Sequence, residues 1–227
     1  MKKILIAAIL GVASLSFGMP YKAYAVTPSE AQVLVEQARI TLNDFQHDPQ
    51  MGWFRRAMRD AKGVLVVPSM VKGGFMLGGS GGTGVFFTKD KATGLCKGPA
   101  FYNMGSVTFG LQAGLEKAEV VIFAMNDAAI TAMLSPQFKL GADASAALGP
   151  MGKGASGQAG LPASSFIVFS KNKGVYGGLT VDGSVVTVDR DYNLTYYGKN
   201  VDPTDILVSG ASGNSGGLCP AFERAGL

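Results

Sequence analysis

An α+β fold is the class this sequence predicts: N-terminal helices packed on a glycine-rich, mostly antiparallel curved sheet or partial barrel. Three observations lead there. Helical spacing of apolar residues is confined mainly to the first sixty residues, and β-branched and aromatic runs follow it. The 32 glycines are too many for a helical bundle and lack a collagen period, which suits strands joined by tight turns. Helices come first and strands after, without regular βαβ alternation.

The elements follow in chain order. Thr27-Pro28-Ser29-Glu30 reads as a capping box with proline in the first turn, and Leu34, Ala38, Leu42 and Phe45 continue it at helical spacing. Asp48-Pro49 restarts the chain into a second helix, Gln50 to Ala61, ended by Gly63. Val64 to Val67 is a short strand stopped by Pro68. Gly73 to Leu77 and Gly84 to Thr88 flank a glycine-rich turn and predict a hairpin. Further strands are expected at Ala100 to Leu111, Ala118 to Met125, Phe166 to Ser170, Val175 to Val181 and Val185 to Arg190. Asn126 or Asp127 can cap a short helix, Ala128 to Leu134, and Asp202-Pro203 opens a last helical turn to Val208. Gly141 to Ser164 is an Ala-, Gly- and Ser-rich excursion with a short helix expected around Asp143 to Leu148.

The N-terminus predicts export. Lys2 and Lys3 precede an uncharged apolar stretch, Ile4 to Phe17, and Ala23-Tyr24-Ala25 is a small-x-small cleavage site. The expectation is a signal peptide at residues 1–25 and a single domain at 26–227, located in the periplasm or on the periplasmic face of the envelope. The apolar run is short for a membrane span. The formal net charge of +4 then shrinks, because Lys2, Lys3 and Lys22 leave with the leader. Bulk charge therefore gives no argument for nucleic acid. With 47% hydrophobic and 16% charged residues the chain is not disordered.

Cys96 and Cys219 are the only cysteines. An oxidising compartment favours a bridge between them, and two buried free thiols are the alternative.

Several motifs suggest chemistry without its context. Gly79-Ser80-Gly81-Gly82-Thr83-Gly84 fits a dinucleotide fingerprint, but the strand-like Val85-Phe86-Phe87-Thr88 follows where a helix N-terminus is needed. Gly78 to Gly82 fits a hydrolase elbow, yet the only histidine, His47, precedes it. Ser215 lies too near the C-terminus to complete a pocket with His47. One histidine and two distant cysteines give no zinc spacing. Asp182, Asp189 and Asp191 lie beside turns, where aspartate is common. No nucleotide, metal or other cofactor is expected, and no catalysis.

The second helix carries Trp53 and Phe54 beside Arg55, Arg56, Arg59 and Lys62, with Asp60 its only acid. Arg55, Arg59 and Lys62 share one stripe, and Phe54, Met58 and Ala61 an adjacent one. Such a helix suits a membrane interface, with apolar groups at the acyl boundary and cations on lipid phosphates. The alternative is a helix packed on the sheet through Phe54 and Met58 with a solvated basic face.

An ordered set of short motifs runs through nearly all of the chain beyond the leader. It comprises Ala61-Lys62-Gly63, Val71-Lys72-Gly73-Gly74-Phe75, Gly82-Thr83-Gly84-Val85, Gly98-Pro99-Ala100-Phe101-Tyr102 and Gly110-Leu111-Gln112-Ala113-Gly114. Lys139-Leu140-Gly141-Ala142-Asp143-Ala144-Ser145, Gly149-Pro150, Lys173-Gly174-Val175-Tyr176-Gly177-Gly178-Leu179 and Tyr196-Tyr197-Gly198 complete it. The set resembles the SYLF-domain family, here as an exported bacterial member. The resemblance implies a lipid-binding module. Eukaryotic members bind phosphoinositides, and some bind actin, often beside an SH3 or FYVE domain. For an exported chain the expected partner is anionic phospholipid or a membrane surface. Lys62 and Lys72 occupy family lysine positions and become candidates for phosphate contacts. Cys96 departs from the pattern, since members usually have a tryptophan there, and a disulfide can replace its packing. Two other readings stand beside this one: a periplasmic interaction or scaffold protein, and an enzyme with an unrecognised site.

Overall fold

The capping box at Thr27 forms as expected. Thr27 Oγ1 accepts from the Glu30 N–H, the Glu30 carboxylate accepts from the Thr27 N–H at 2.7 Å, and α1 runs Pro28–His47. The computed structural model describes residues 25–89, 95–150, 160–172, 175–176, 183–210 and 219; the leader expected at 1–25 lies outside them except for Ala25. After α1 come α2 (Gly52–Asp60), β1 (Gly63–Lys89), β2 (Cys96–Ala124), α3 (Asp127–Leu134), β3 (Gln137–Lys139) and β4 (Ala146–Leu148). The chain continues with β5 (Phe166–Asn172), β6 (Val175–Tyr176), β7 (Val185–Val188), α4 (Arg190–Tyr197) and α5 (Pro203–Leu207). The sheet runs β3-β7-β2-β5-β4, with β1 also on β2 and β6 on β5. All pairings are antiparallel except β4 with β5, and the sheet curls into a half-barrel. The α+β class and the curved, mostly antiparallel sheet are therefore as expected.

The largest correction concerns the glycine-rich segment. Gly78 to Gly84 is not a turn between two strands; it lies within β1, paired in register with Thr108 to Tyr102 of β2. Likewise β1 does not stop at Pro68, and the strands expected at Ala100 and Ala118 are one strand. Pro68 is tolerated because the register shifts between Val67 and Met70, a bulge where a missing N–H breaks no ladder bond. The chain still reverses here, by bending the whole hairpin. The Lys89 N–H donates to Lys62 O at 2.7 Å, so the two ends of β1 meet. A Cβ on Gly82 would stand 2.5 Å from Ser69 O, and one on Gly84 2.6 Å from Val66 O. Glycine is required because backbone approaches backbone.

Helices on both sides bury both faces of the sheet, which explains the near-continuous apolar runs in β1, β2 and β5. Alternate residues go to opposite cores. Leu65, Val67, Phe86, Tyr102, Ile122 and Val168 pack with α3, α5 and Phe138. Val64, Val66, Phe101, Phe123, Ile167 and Phe169 pack with α1 and α2 on the other side, where Tyr192 and Tyr196 of α4 join them.

Three smaller expectations change. Asp143 to Leu148 is not a helix. Asp143 folds its carboxylate onto the Lys139 N–H at 2.7 Å, Gly141 takes a positive φ of 83°, and Ala146–Leu148 becomes an edge strand. The strand expected to reach Arg190 ends at Val188, and Asp189 caps the unforeseen α4 by accepting from the Tyr192 N–H. The second helix is shorter at both ends than Gln50 to Ala61. Of the strand expected at Val175 to Val181, Val175–Tyr176 forms and the remainder lies outside the described residues.

Candidate functional site

The apolar stripe of α2 faces inward. Phe54, Ala57 and Met58 are fully buried. The Phe54 ring meets Phe45, Phe123 and Phe169 with centroids 5.3, 4.9 and 5.2 Å away. Phe54 therefore cannot enter a membrane from the folded protein, and its expected role as an inserting residue is corrected. Edge-on aromatic contacts and complete burial make it an anchor of the second core.

The basic residues of this segment divide by what they hold. Arg55 is half-buried, and its Nη1 donates to Gln46 O at 3.1 Å and Asp48 O at 2.8 Å. These are carbonyls at the end of α1, where helical acceptors lack partners, so Arg55 serves as a cap between the two helices. Its Nη1 is thereby committed to the fold. Lys62 pairs with Asp127 at the start of α3. Arg56 and Arg59 are exposed and point away from the core. The Arg56 guanidinium lies 4.6 Å from the Trp53 ring centroid, and Trp53 is partly buried against the second core. Gly52, Arg56, Arg59, Asp60 and the outer edge of Trp53 thus form the solvent-facing part of α2, with Asp60 its one acid. Lys72 stands elsewhere, further along β1, in register with Glu116 of β2.

Cys96 and Cys219 are bridged, with Cα atoms 5.4 Å apart. The bond ties the first residue of β2 to the C-terminal segment, and Cys219 is buried in the second core.

Of the aspartates with motif-like spacing, Asp189 serves the fold. Asp189 caps α4 and accepts from Asn103 Nδ2 at 2.7 Å. Burial pushes the Tyr102 and Tyr197 phenols well up, so each remains a protonated donor, to Met133 O and Pro99 O. Asp182 and Ser215 lie outside the described residues. Among the described residues, no three His, Cys, Asp or Glu side chains gather as a metal group, and no helix is long and apolar enough to cross a membrane.

Lys89 and Lys97, not singled out in the sequence, line one cleft with Lys62. They flank the end of the long hairpin, and register places Thr88 opposite Lys97. Seeing them as neighbours of Lys62 requires knowing that β1 folds back on itself.

Residues 105–222, more than half of the chain, match the model of a family described as Ysc84: Las17-binding protein actin regulator. The SH3 domain-containing YSC84-like protein 1 of Rattus norvegicus is 27% identical over 149 residues, 65% of this chain and 43% of that protein. Protein YSC84 of Saccharomyces cerevisiae is 28% identical over 154 residues, 66% of this chain and 32% of that protein. LAS seventeen-binding protein 3 of the same yeast is 29% identical over 154 residues, 66% and 33% of the two chains. The chain spans less than half the length of these relatives.

Proposed function

The chain belongs to the Ysc84 (SYLF) family, and from that premise we propose that it is an exported, non-catalytic module that binds anionic phospholipid at a membrane surface. The observation that carries the proposal is the outer face of α2. Arg56 and Arg59 stand exposed beside Trp53, on a helix whose other side is anchored in the core by Phe54. A rigidly mounted basic and aromatic edge suits the headgroup region, where cations meet phosphate and indole sits at the boundary. The contact is smaller than the sequence expects, because Phe54 and Arg55 are spent on the fold.

A basic residue near an anionic surface contributes about 1 kcal/mol. Arg56 and Arg59 together then give about 2 kcal/mol, roughly thirtyfold in affinity. The test is the double variant Arg56→Gln, Arg59→Gln. Both side chains are exposed, so circular dichroism should show an unchanged fold. Flotation with vesicles of phosphatidylcholine and phosphatidylglycerol should weaken at least tenfold, most at low salt, since screening acts within about 8–10 Å. A folded double variant that floats like the parent would remove α2 from the contact.

The export part of the proposal rests on the leader-like residues 1–25. Native material should begin at Val26 or close to it by N-terminal sequencing, and an intact Met1 would overturn it. A second reading, a protein-interaction scaffold, is favoured by the family itself, described as Las17-binding protein actin regulator. Failure of the parent itself to float would favour that reading.

A further inference from the structure

A groove of about 270 Å³ lies between the first half of α1 and α4, lined by Ser29, Glu30, Val33, Leu34, Gln37 and Tyr192. Glu30, Val33, Leu34 and Gln37 follow at i, i+3, i+4 and i+7, so they share one side of α1. Tyr192 forms the facing wall, and α4 is held in place behind it. Asn193 Oδ1 accepts from the Phe101 N–H at 3.0 Å, and Thr195 Oγ1 donates to Val26 O at 3.3 Å. The Tyr192 ring packs on Phe101 with centroids 5.5 Å apart. α1 has 20 residues and is about 30 Å long. The groove is near its start, whereas Arg55 of α2 bonds to Gln46 and Asp48 at its end.

Glu30 is the one charged side chain among the described residues that line the groove. Its Oε2 accepts from the Thr27 N–H and hydroxyl at 2.7 and 2.8 Å, and those bonds hold its carboxyl below the ordinary range. It is therefore ionised at neutral pH. Its Oε1 has no partner among the described residues, and neither has the Gln37 amide or the Tyr192 hydroxyl. Burial first, and then the charges of Glu30 and Asp189, push the Tyr192 phenol up, so both negative charges are felt beside the groove. The bases nearby do not cancel them. Arg39 is paired with Glu36. Arg190 stands two positions before Tyr192, on the opposite side of α4. The rest of the lining is apolar: Val33 is 54% exposed and Leu34 half-buried, with the Tyr192 ring across from them.

Carboxylate, aromatic ring and uncommitted oxygens together suit a cation that carries N–H donors. An ammonium has three such donors and no acceptor, and it is attracted to an aromatic face. The apolar side chains suit a short hydrocarbon attached to it. The volume is just below that of drug-sized sites, roughly 300–1,000 Å³, and so sets a small ligand.

We infer that this groove binds a small primary alkylammonium, with the ammonium at Glu30, Gln37 and Tyr192 and the alkyl portion on Val33 and Leu34. Its contacts are separate from those of α2, and the membrane reading is not a premise.

The test is a titration of the isotope-labelled protein, followed by amide chemical shifts. The probes are n-pentylammonium, n-pentanol, tetramethylammonium and N-acetyl-lysine amide. Shifts with n-pentylammonium should gather at residues 29–37 and 192. Pentanol lacks the charge and tetramethylammonium lacks the donors and the chain, so each should bind at least threefold more weakly. Glu30→Gln keeps the capping box, because glutamine serves there as glutamate does. It should reduce n-pentylammonium to the affinity of pentanol and leave pentanol unchanged. If that variant fails to fold, the comparison of the four probes on the unaltered protein decides alone. Absence of groove shifts overturns the inference. So does equal binding of n-pentylammonium and pentanol, or an equal loss of both in Glu30→Gln. N-acetyl-lysine amide binding at least tenfold more tightly than n-pentylammonium would assign the groove to a lysine of a partner protein and overturn the small amine. The Arg56→Gln, Arg59→Gln variant should bind n-pentylammonium like the parent, so failure to float on vesicles and failure to bind the amine are separate results.

Discussion

Gly84 and Gly79 look alike in the sequence and occupy opposite situations in the fold. A Cβ on Gly84 would stand 2.6 Å from Val66 O and 2.7 Å from a Val67 methyl, and the backbone oxygen cannot retreat. A Cβ on Gly79 would meet Ser106 O at 3.5 Å, an ordinary contact. Gly84→Ala should therefore cost about 1–3 kcal/mol or more, as overpacking does. Gly79→Ala should stay within about 0.5 kcal/mol. Urea midpoints of the two variants check this, and equal shifts would mean that β1 does not fold back as described. Composition alone could not separate the two residues. Both belong to a glycine-rich run that reads as a turn, and only the approach of Ser69 and Val66 tells required glycines from tolerated ones.

The elements most legible in the sequence were those whose signals are local. Thr27 to Glu30, Asn126 and Asp202-Pro203 announced α1, α3 and α5, because a cap is made by residues within one turn of each other. The sheet was less legible. A strand buried on both faces loses its alternation, so apolar runs marked where strands lie but not where β1 and β2 continue through glycine. The α2 segment was readable as amphipathic, yet its apolar stripe fits a membrane and a core equally well. Burial of Phe54 among Phe45, Phe123 and Phe169 settles that question, and those partners arrive from α1, β2 and β5. Arg55 was assigned to the basic face because its acceptors, carbonyls at the end of a neighbouring helix, have no signature in side-chain pattern. α4 was missed for a related reason: Asp189 looks like a turn residue until its carboxylate is seen on the Tyr192 N–H.

At the scale of the whole molecule, one covalent bond holds what the hairpin leaves apart. Cys96 and Cys219 are separated by 123 positions, and closing a loop of that size is worth about 4–5 kcal/mol in the chain-entropy model. Reduction should lower the melting temperature by roughly 8–20 °C for a chain of this length. Thermal scans by circular dichroism with and without dithiothreitol measure it, and a shift below about 2 °C would show that the bridge contributes little. The deep seating of Phe54 also governs the order in which the protein can be assembled. Chains are made from the N-terminus at about 5–20 residues per second. Phe54 is synthesised more than a hundred residues before Phe169, one of the rings that encloses it. The apolar side of α2 must then wait on the order of ten seconds for its housing. During that interval it is exposed apolar surface, the kind of surface that a chaperone covers.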